Sequence, residues 1–349
     1  MTNRDDHGET ELDQSLLEAA RNATTTCLAA GPEDRAVVIH DQTTEAVASA
    51  LKRAFAEIGT PVEVFDIDSY GPRPISKLPV EVLRALQSAT VSAMAVKTDR
   101  GELSSRRAVL ETVAASKVRH AHMPSITNEV FRDGLSMDYR EVARFIEHLV
   151  GVISDSTSLT LTSTGGTHLE LGYPSQPKIE KLDGLIRPTR WQNLPSGQII
   201  IHPPRAEGVF VADRMIGDWF EHKYDVGEHP VTFEFENGMV RAARCDNRRL
   251  ERDLLLFIRS SDNSARISEL IIGANLGLTQ DHTGALFDGY RPGASISLGA
   301  LPASDLGWTS STFLPLVGRH NTIYVGERRI MLDDTFSEDI LEAADQSRG

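Results

Sequence analysis

Two cysteines, Cys27 and Cys245, are all that the 349 residues contain. So few exclude a disulfide framework and a cysteine-ligated zinc site, and they suit a reducing compartment. No stretch approaches the roughly 18 consecutive apolar residues that a membrane-spanning helix needs. The acidic opening MTNRDDHGETELDQ has no apolar segment and does not read as a secretory signal. A cytoplasmic protein with no membrane partner is the expectation. Positive charge is also short, with 36 Lys and Arg against 50 Asp and Glu, a formal net charge of −14. That balance argues against nucleic acid, whose phosphates demand basic surfaces, and weakly favours cationic partners at long range.

Catalytic signatures are missing as well. Neither GxGxxG nor GxxxxGK[ST] follows the first strand, so nothing cradles a nucleotide phosphate. There is no GxSxG elbow, neither cysteine lies beside a histidine, and HExxH is absent, which removes the common serine, cysteine and zincin arrangements at motif level.

What is present is the composition of an ordinary globular protein, 40% apolar and 25% charged, and a length sufficient for two domains. Helical spacing over 12–30 is closed by Gly31. After it strands and helices alternate: AVVIH (36–40), a helix over 44–58, PVEVFDI (61–67), a helix over 79–88, TVSAMAVK (90–97), a helix over 104–115, KVRHAHMP (117–124) and a helix over 138–153. This order predicts an α/β domain with a parallel sheet over residues 1–153. From 154 to 349 the texture is α+β and rich in strands. SLTLTS (158–163) and THLEL (167–171) flank a Gly165-Gly166 turn, and ENG (236–238) marks a second hairpin. Further strands are expected at 198–202, 207–213, 230–235, 239–244, 294–299 and 321–331, with a helix over 249–258 and a buried element over 267–276.

Among individual residues, His120 and His122 share one side of a strand. An i, i+2 pair can bind metal, although a core histidine beside a loop cap explains them equally well. The second domain offers a scattered set of His168, Glu170, Gln198, His202, Glu269, His282, Ser295, Ser297 and His320, each of which alone is as readily structural.

Four stretches give that set an order. LTLTSTGGTHLEL, NLPSGQIIIHPPRAEGVFVAD, ISELIIGANLG and GASISLGALP, with NTIYVGERRIML closing, resemble the corresponding segments of the M29 metallopeptidases (aminopeptidase T type) and their ring-cleaving relatives, the 2,5-dihydroxypyridine dioxygenases. The resemblance implies an aminopeptidase-T-like C-terminal domain and a homodimer, for which Trp191, Trp219 and Trp308 are candidate anchors, core packing being the plainer reading. It also implies where metal ligands would stand. The peptidases carry two metals on two glutamates, two histidines, an aspartate and a tyrosine, and the dioxygenases carry one iron on fewer ligands. Here the first glutamate position is Gln198, the second is retained as Glu269, the strand histidine falls on Ser295, and no His-x-Asp precedes the closing strand. Two divalent cations need more anionic oxygens and imidazoles than these supply. A metal-free protein with no cofactor is therefore expected.

A cleft of that shape suits an extended peptide added to a sheet edge, and its presentation to a partner enzyme, for instance in natural-product biosynthesis, is the expectation. The ligand-binding candidates are His122, His168, Gln198, Arg214, Glu269 and Ser295, with Arg214 as a grip for a peptide carboxylate. Glu269, His202 and His282 are the candidates for proton transfer. The alternative is a mononuclear iron dioxygenase or a metal-dependent aminopeptidase whose ligands are displaced among His168, His202, His282, Glu170 and Glu269.

Overall fold

The computed structural model describes residues 13–99, 101–188, 190–279, 285–300 and 306–346. The chain forms two compact units that do not follow one another along the sequence. The first holds residues up to Arg140 together with Gly184–Ser196, and the second holds Glu141–Asp183 together with Gly197 onward. A single cut near 153 therefore does not describe this division. Gln192–Asn193 pairs with the strand containing Ala121 and His122, which draws 184–196 into the first unit. Phe145 meets Phe336 edge-on at 4.9 Å between ring centroids, one of the packings inside the second unit.

In the first unit, β1 (Ala36–His40), β2 (Val62–Asp66), β3 (Val91–Val96) and β4 (Arg119–Pro124) lie in the order β2-β1-β3-β4, with Gln192–Asn193 outside β4. Every pair is parallel. The unbroken apolar runs of β1 and β3 are buried at each residue, as expected of a sheet covered on both faces. α1 (Gln14–Arg21) runs on as a π-helical turn over Asn22–Cys27, and α2 (Glu45–Glu57) stops before Gly59, at φ +78°. Val37, Ile39 and Met94 pack with Val82 and Leu86 of α3 (Val80–Ser88) and with Val109 of α4 (Leu103–Ala115).

The second unit has two antiparallel sheets. β5 (Ser158–Ser163) and β6 (His168–Gly172) form the expected hairpin, with Gly166 at φ +105° in the turn. β7 (Ile179–Leu182) and β8 (Gln198–Ile201) belong to the other sheet. β9 (Arg205–Ala212), β10 (Val231–Glu236) and β11 (Met239–Arg244) continue the first, and Asn237 and Gly238 both take positive φ, as a two-residue hairpin loop requires. β12 (Ile267–Gly273) and β13 (Gly293–Gly299) pair with β8 and each other, and β14 (Phe313–Val317) follows. β15 (Asn321–Val325) and β16 (Arg328–Leu332) divide what the sequence reads as one strand over 321–331, since Gly326 turns the chain at φ +56°. The eight-stranded sheet runs β11-β10-β9-β6-β5-β15-β16 and ends on Thr335–Phe336. The six-stranded sheet runs from Met215–Ile216 through β14-β13-β12-β8 to β7. Among the described residues no helix is long and apolar enough to cross a membrane.

The NLPSG turn before β8 depends on a glycine. Gly197 has φ +121°, and a Cβ there would stand 2.9 Å from the Asn275 Cβ and 3.1 Å from its backbone nitrogen. Gly151, in helix Tyr139–Ser154, has nothing within 4 Å. Gly197→Ala is expected to destabilise the protein by about 2 kcal/mol or more, whereas Gly151→Ala should stabilise it by about 0.5–1 kcal/mol. Urea unfolding midpoints of the two variants test the contrast.

Candidate functional site

Register places the candidate residues of the second unit on one face of the six-stranded sheet. Gln198 stands opposite Gly273 and Leu182, and Ile200 opposite Ile271 and Glu180. Ile271 in turn faces Ser295, and Glu269 faces Ser297. Side chains opposite one another share a face, and those two apart along a strand share it too. Gln198, Ile200, Ile271, Glu269, Ser295, Ser297 and Glu180 therefore project to one side. Ile199, Ile201, Leu270, Ile272, Ile296 and Leu298 form the other, fully buried side.

At the outer end of this face His202 lies between two acceptors. Its Nδ1 is 2.8 Å from the Ser268 carbonyl oxygen and its Nε2 is 3.1 Å from Glu180 Oε1. Both ring nitrogens donate when the ring is an imidazolium. Burial opposes that charge, but the hydrogen bond to Glu180, the Ser268 carbonyl and the nearby Glu269 outweigh it and raise the His202 pKa. Burial also raises the Glu269 carboxyl above the usual range, while the Ser297 hydroxyl and the His202 charge pull it back. Both ring nitrogens of His202, a candidate for proton transfer or an improvised ligand, are engaged within the chain, and the ring links β7 to β12. Glu180, which holds it, carried no signal in the sequence; only the β7–β8 pairing reveals it.

The inner end of the face is closed by the chain itself. A Cβ on Gly273 would lie 1.8 Å from the Arg291 carbonyl oxygen, so that backbone rests on the sheet beside Gln198. Gln198 is buried, as is Ser295. β14 presents Pro315 opposite Ser297 and Val317 opposite Ser295 on this face, with neither histidine nor carboxylate. Arg214, expected to grip a ligand carboxylate, instead grips Asp288 at two points. Nε lies 3.1 Å from Oδ2 and NH2 lies 3.3 Å from Oδ1, in a nearly buried pair.

The remaining candidates lie elsewhere. His168 is on β6 of the other sheet, exposed, 3.9 Å from the equally exposed Glu170. His282 lies outside the described residues. His122 belongs to the first unit, on β4, where its Nδ1 is 3.4 Å from His120 Nε2 and its ring meets Trp191 edge-on at 5.7 Å. His120 is completely buried, its Nδ1 2.8 Å from Ser92 Oγ. Burial, with Arg106 nearby, lowers the His122 pKa to about 4, and burial beside His122 lowers that of His120 well below its ordinary value. Burial thus favours the neutral form of both rings. Among the described residues no three His, Cys, Asp or Glu side chains form a group that could hold a metal ion. None of the tryptophans is a fully buried core residue: Trp191 and Trp219 are exposed, and Trp308 lies half-buried under the Arg266 guanidinium.

No family model and no curated protein matches the chain. Solved structures do. The 2,5-dihydroxypyridine dioxygenase of Pseudomonas putida KT2440 superposes with a TM-score of 0.67 at 15% identity, covering 92% of this chain and 97% of that one. Wild-type AmpT of Thermus thermophilus gives a TM-score of 0.66 at 14% identity, covering 93% and 99%. The likeness is one of fold. A parallel sheet with helices and strand-rich antiparallel sheets make up an aminopeptidase-T-like architecture.

Two titrations test the electrostatics. The His202 ring, followed by heteronuclear NMR, should titrate above the free-histidine value and drop on Glu180→Gln; a wild-type value at or below free histidine would refute the bridge. Because its folded pKa is raised, the stability it adds is complete below the unfolded pKa and is lost as pH rises through the folded one. His120 and His122 have the opposite sign: their folded values are lowered, so stability is lost as pH falls from about 6.5 towards 4, by up to about 3 kcal/mol for His122. His122→Phe should flatten that acid limb of the urea midpoint against pH.

Proposed function

We propose that the protein binds a peptide without a metal ion, on a scaffold shared with a dioxygenase and an aminopeptidase. The observation that carries this reading is the donor set of the sheet face. Where the resemblance places a glutamate and a histidine, the face has the amide of Gln198 and the hydroxyl of Ser295, and the neighbouring β14 sets Pro315 and Val317, which cannot ligate a metal, beside them. The face carries two carboxylates, Glu269, whose burial favours keeping the proton, and Glu180, which is engaged by His202. Both ring nitrogens of His202 are already engaged, by Glu180 and the Ser268 carbonyl. A divalent cation must replace its hydration shell with several anionic oxygens or imidazoles, and this set does not fit one.

The same face suits an extended chain. β7 ends the six-stranded sheet, and its residues Ile179–Leu182 are all half-buried. A peptide added as the next antiparallel strand would lie along β7 and set alternate side chains beside Glu180. Glu180, Glu269 and the net charge of −14 favour a basic residue in it. Presentation of such a peptide to a partner enzyme, as in natural-product biosynthesis, fits a binding face without its own catalytic groups. The retained Glu269 is the observation that favours the second reading, a metal-dependent dioxygenase or aminopeptidase with displaced ligands.

Elemental analysis separates the two. Protein purified without oxygen, offered Fe(II), Zn(II) and Mn(II) and desalted, should retain only substoichiometric metal, and its affinity for a basic peptide should be indifferent to a chelator. Stoichiometric metal that disappears on Glu269→Ala would overturn the proposal and restore the enzyme.

A further inference from the structure

Away from the sheet face, the second unit contains a cavity of about 500 Å³ at the ends of β14 to β16. Two turns form its rim. Arg319 and His320 lie between β14 and β15, and Asp333 and Asp334 follow β16. His320, Asp333 and Asp334 all have left-handed backbones, at φ +56°, +52° and +55°. Non-glycine residues rarely adopt that conformation, and Asp and His are among those that tolerate it. The carboxylates lock the turns. Asp334 accepts the His320 N–H at 2.8 Å and both the backbone and side-chain N–H groups of Asn321 at 2.9 Å. Asp333 Oδ1 is 2.6 Å from His320 Nδ1. The acidic groups on the rim are thus already engaged by the chain.

Arg319 differs. Its backbone N–H donates to Asp213 Oδ1 at 2.8 Å, but its guanidinium makes no hydrogen bond or ion pair among the described residues, and Nε is buried without an acceptor. Asp213 feels that charge without bonding to it. The half-buried guanidinium lies at the edge of the cavity, with Nη2 on the side of Gly227, and its unassigned terminal donors suit a planar, two-oxygen acceptor there. Arg291, whose NH2 is 3.9 Å from Asp334 Oδ2, adds a second positive charge to the lining. Leu276, Leu278, Pro292, Phe336 and Leu341 supply apolar wall. A volume in the few-hundred Å³ range is usual for a small-molecule site, and this one sets an apolar wall opposite a polar rim.

We propose that this cavity binds a small organic carboxylate with an apolar body, the carboxylate held by Arg319 and the hydrocarbon part packed against Leu276, Leu278, Phe336 and Leu341. The proposal stands independently of the peptide reading of the sheet face.

4-Phenylbutyrate and its neutral amide, titrated into the full chain by calorimetry and NMR, provide the test. The acid should bind at least about tenfold more tightly than the amide, shift the Arg319 Nε–H and Phe336 ring signals, and lose its advantage in Arg319→Gln. N-acetyl-Leu-Phe with a free or an amidated terminus separates the two sources of such a carboxylate. If the free-terminus peptide also binds, the site accepts a peptide C-terminus; if only phenylbutyrate binds, it takes free acids. Absence of binding by either acid, equal affinity for acid and amide, or an acid preference that survives Arg319→Gln would overturn the proposal. The acid–amide comparison and the Arg319 and Phe336 shifts on the unmodified protein decide the matter even if the variant fails to fold.

Discussion

The register that sets Gln198 against Gly273 and Glu269 against Ser297 governs the second unit, because side chains in a strand alternate and a slip of one residue would turn every candidate into the core. Two things hold it. On one side the isoleucines and leucines of β8, β12 and β13 are buried together, so the alternative register would expose them and bury Glu269 and His202 among hydrocarbon. On the other, Gly273 admits the Arg291 carbonyl so closely that no residue with a Cβ could take its place without displacing backbone. Packing and backbone approach select the same face.

Electrostatics on that face follow from its partial burial. A histidine between a carbonyl and a carboxylate holds its proton more tightly than a free ring, and its charge opposes the rise that burial gives a neighbouring glutamate. The charges of His202 and Glu269 therefore depend on each other, and Glu180 acts on both. In the first unit His120 and His122 show the contrary outcome for the same side chain. With a hydroxyl and each other as partners, and no carboxylate bonded to either ring, they stay neutral.

Much of the architecture was legible in the sequence where pattern and structure have the same range. The unbroken apolar runs of β1 and β3, the Gly-Gly hairpin of β5 and β6 and the Asn-Gly turn after β10 are local signals, and each forms as its chemistry suggests. β14 was not legible, because Pro315 interrupts FLPLV; the strand tolerates it where only Met215–Ile216 lies outside. Resemblance to a family singled out Gln198, Glu269 and Ser295, and register sets all three on one face. It could not reveal that Arg214 would close on Asp288, 74 residues further on, or that Glu180 would reach His202. Those contacts depend on long-range register, which leaves no periodic trace in a single chain.

The interleaving of the two units constrains the order in which a ribosome can complete them. Emerging in sequence, β1 to β4 are followed by β5, β6 and β7 before Gln192–Asn193 is made, and β8 appears only after that. The nascent parallel sheet must wait with the outer edge of β4 unpaired while some 70 further residues are synthesised. For the same reason no single cut yields two whole halves. A fragment ending at Arg140 would lack its last strand, and one beginning at Glu141 would carry that strand as a surplus loop.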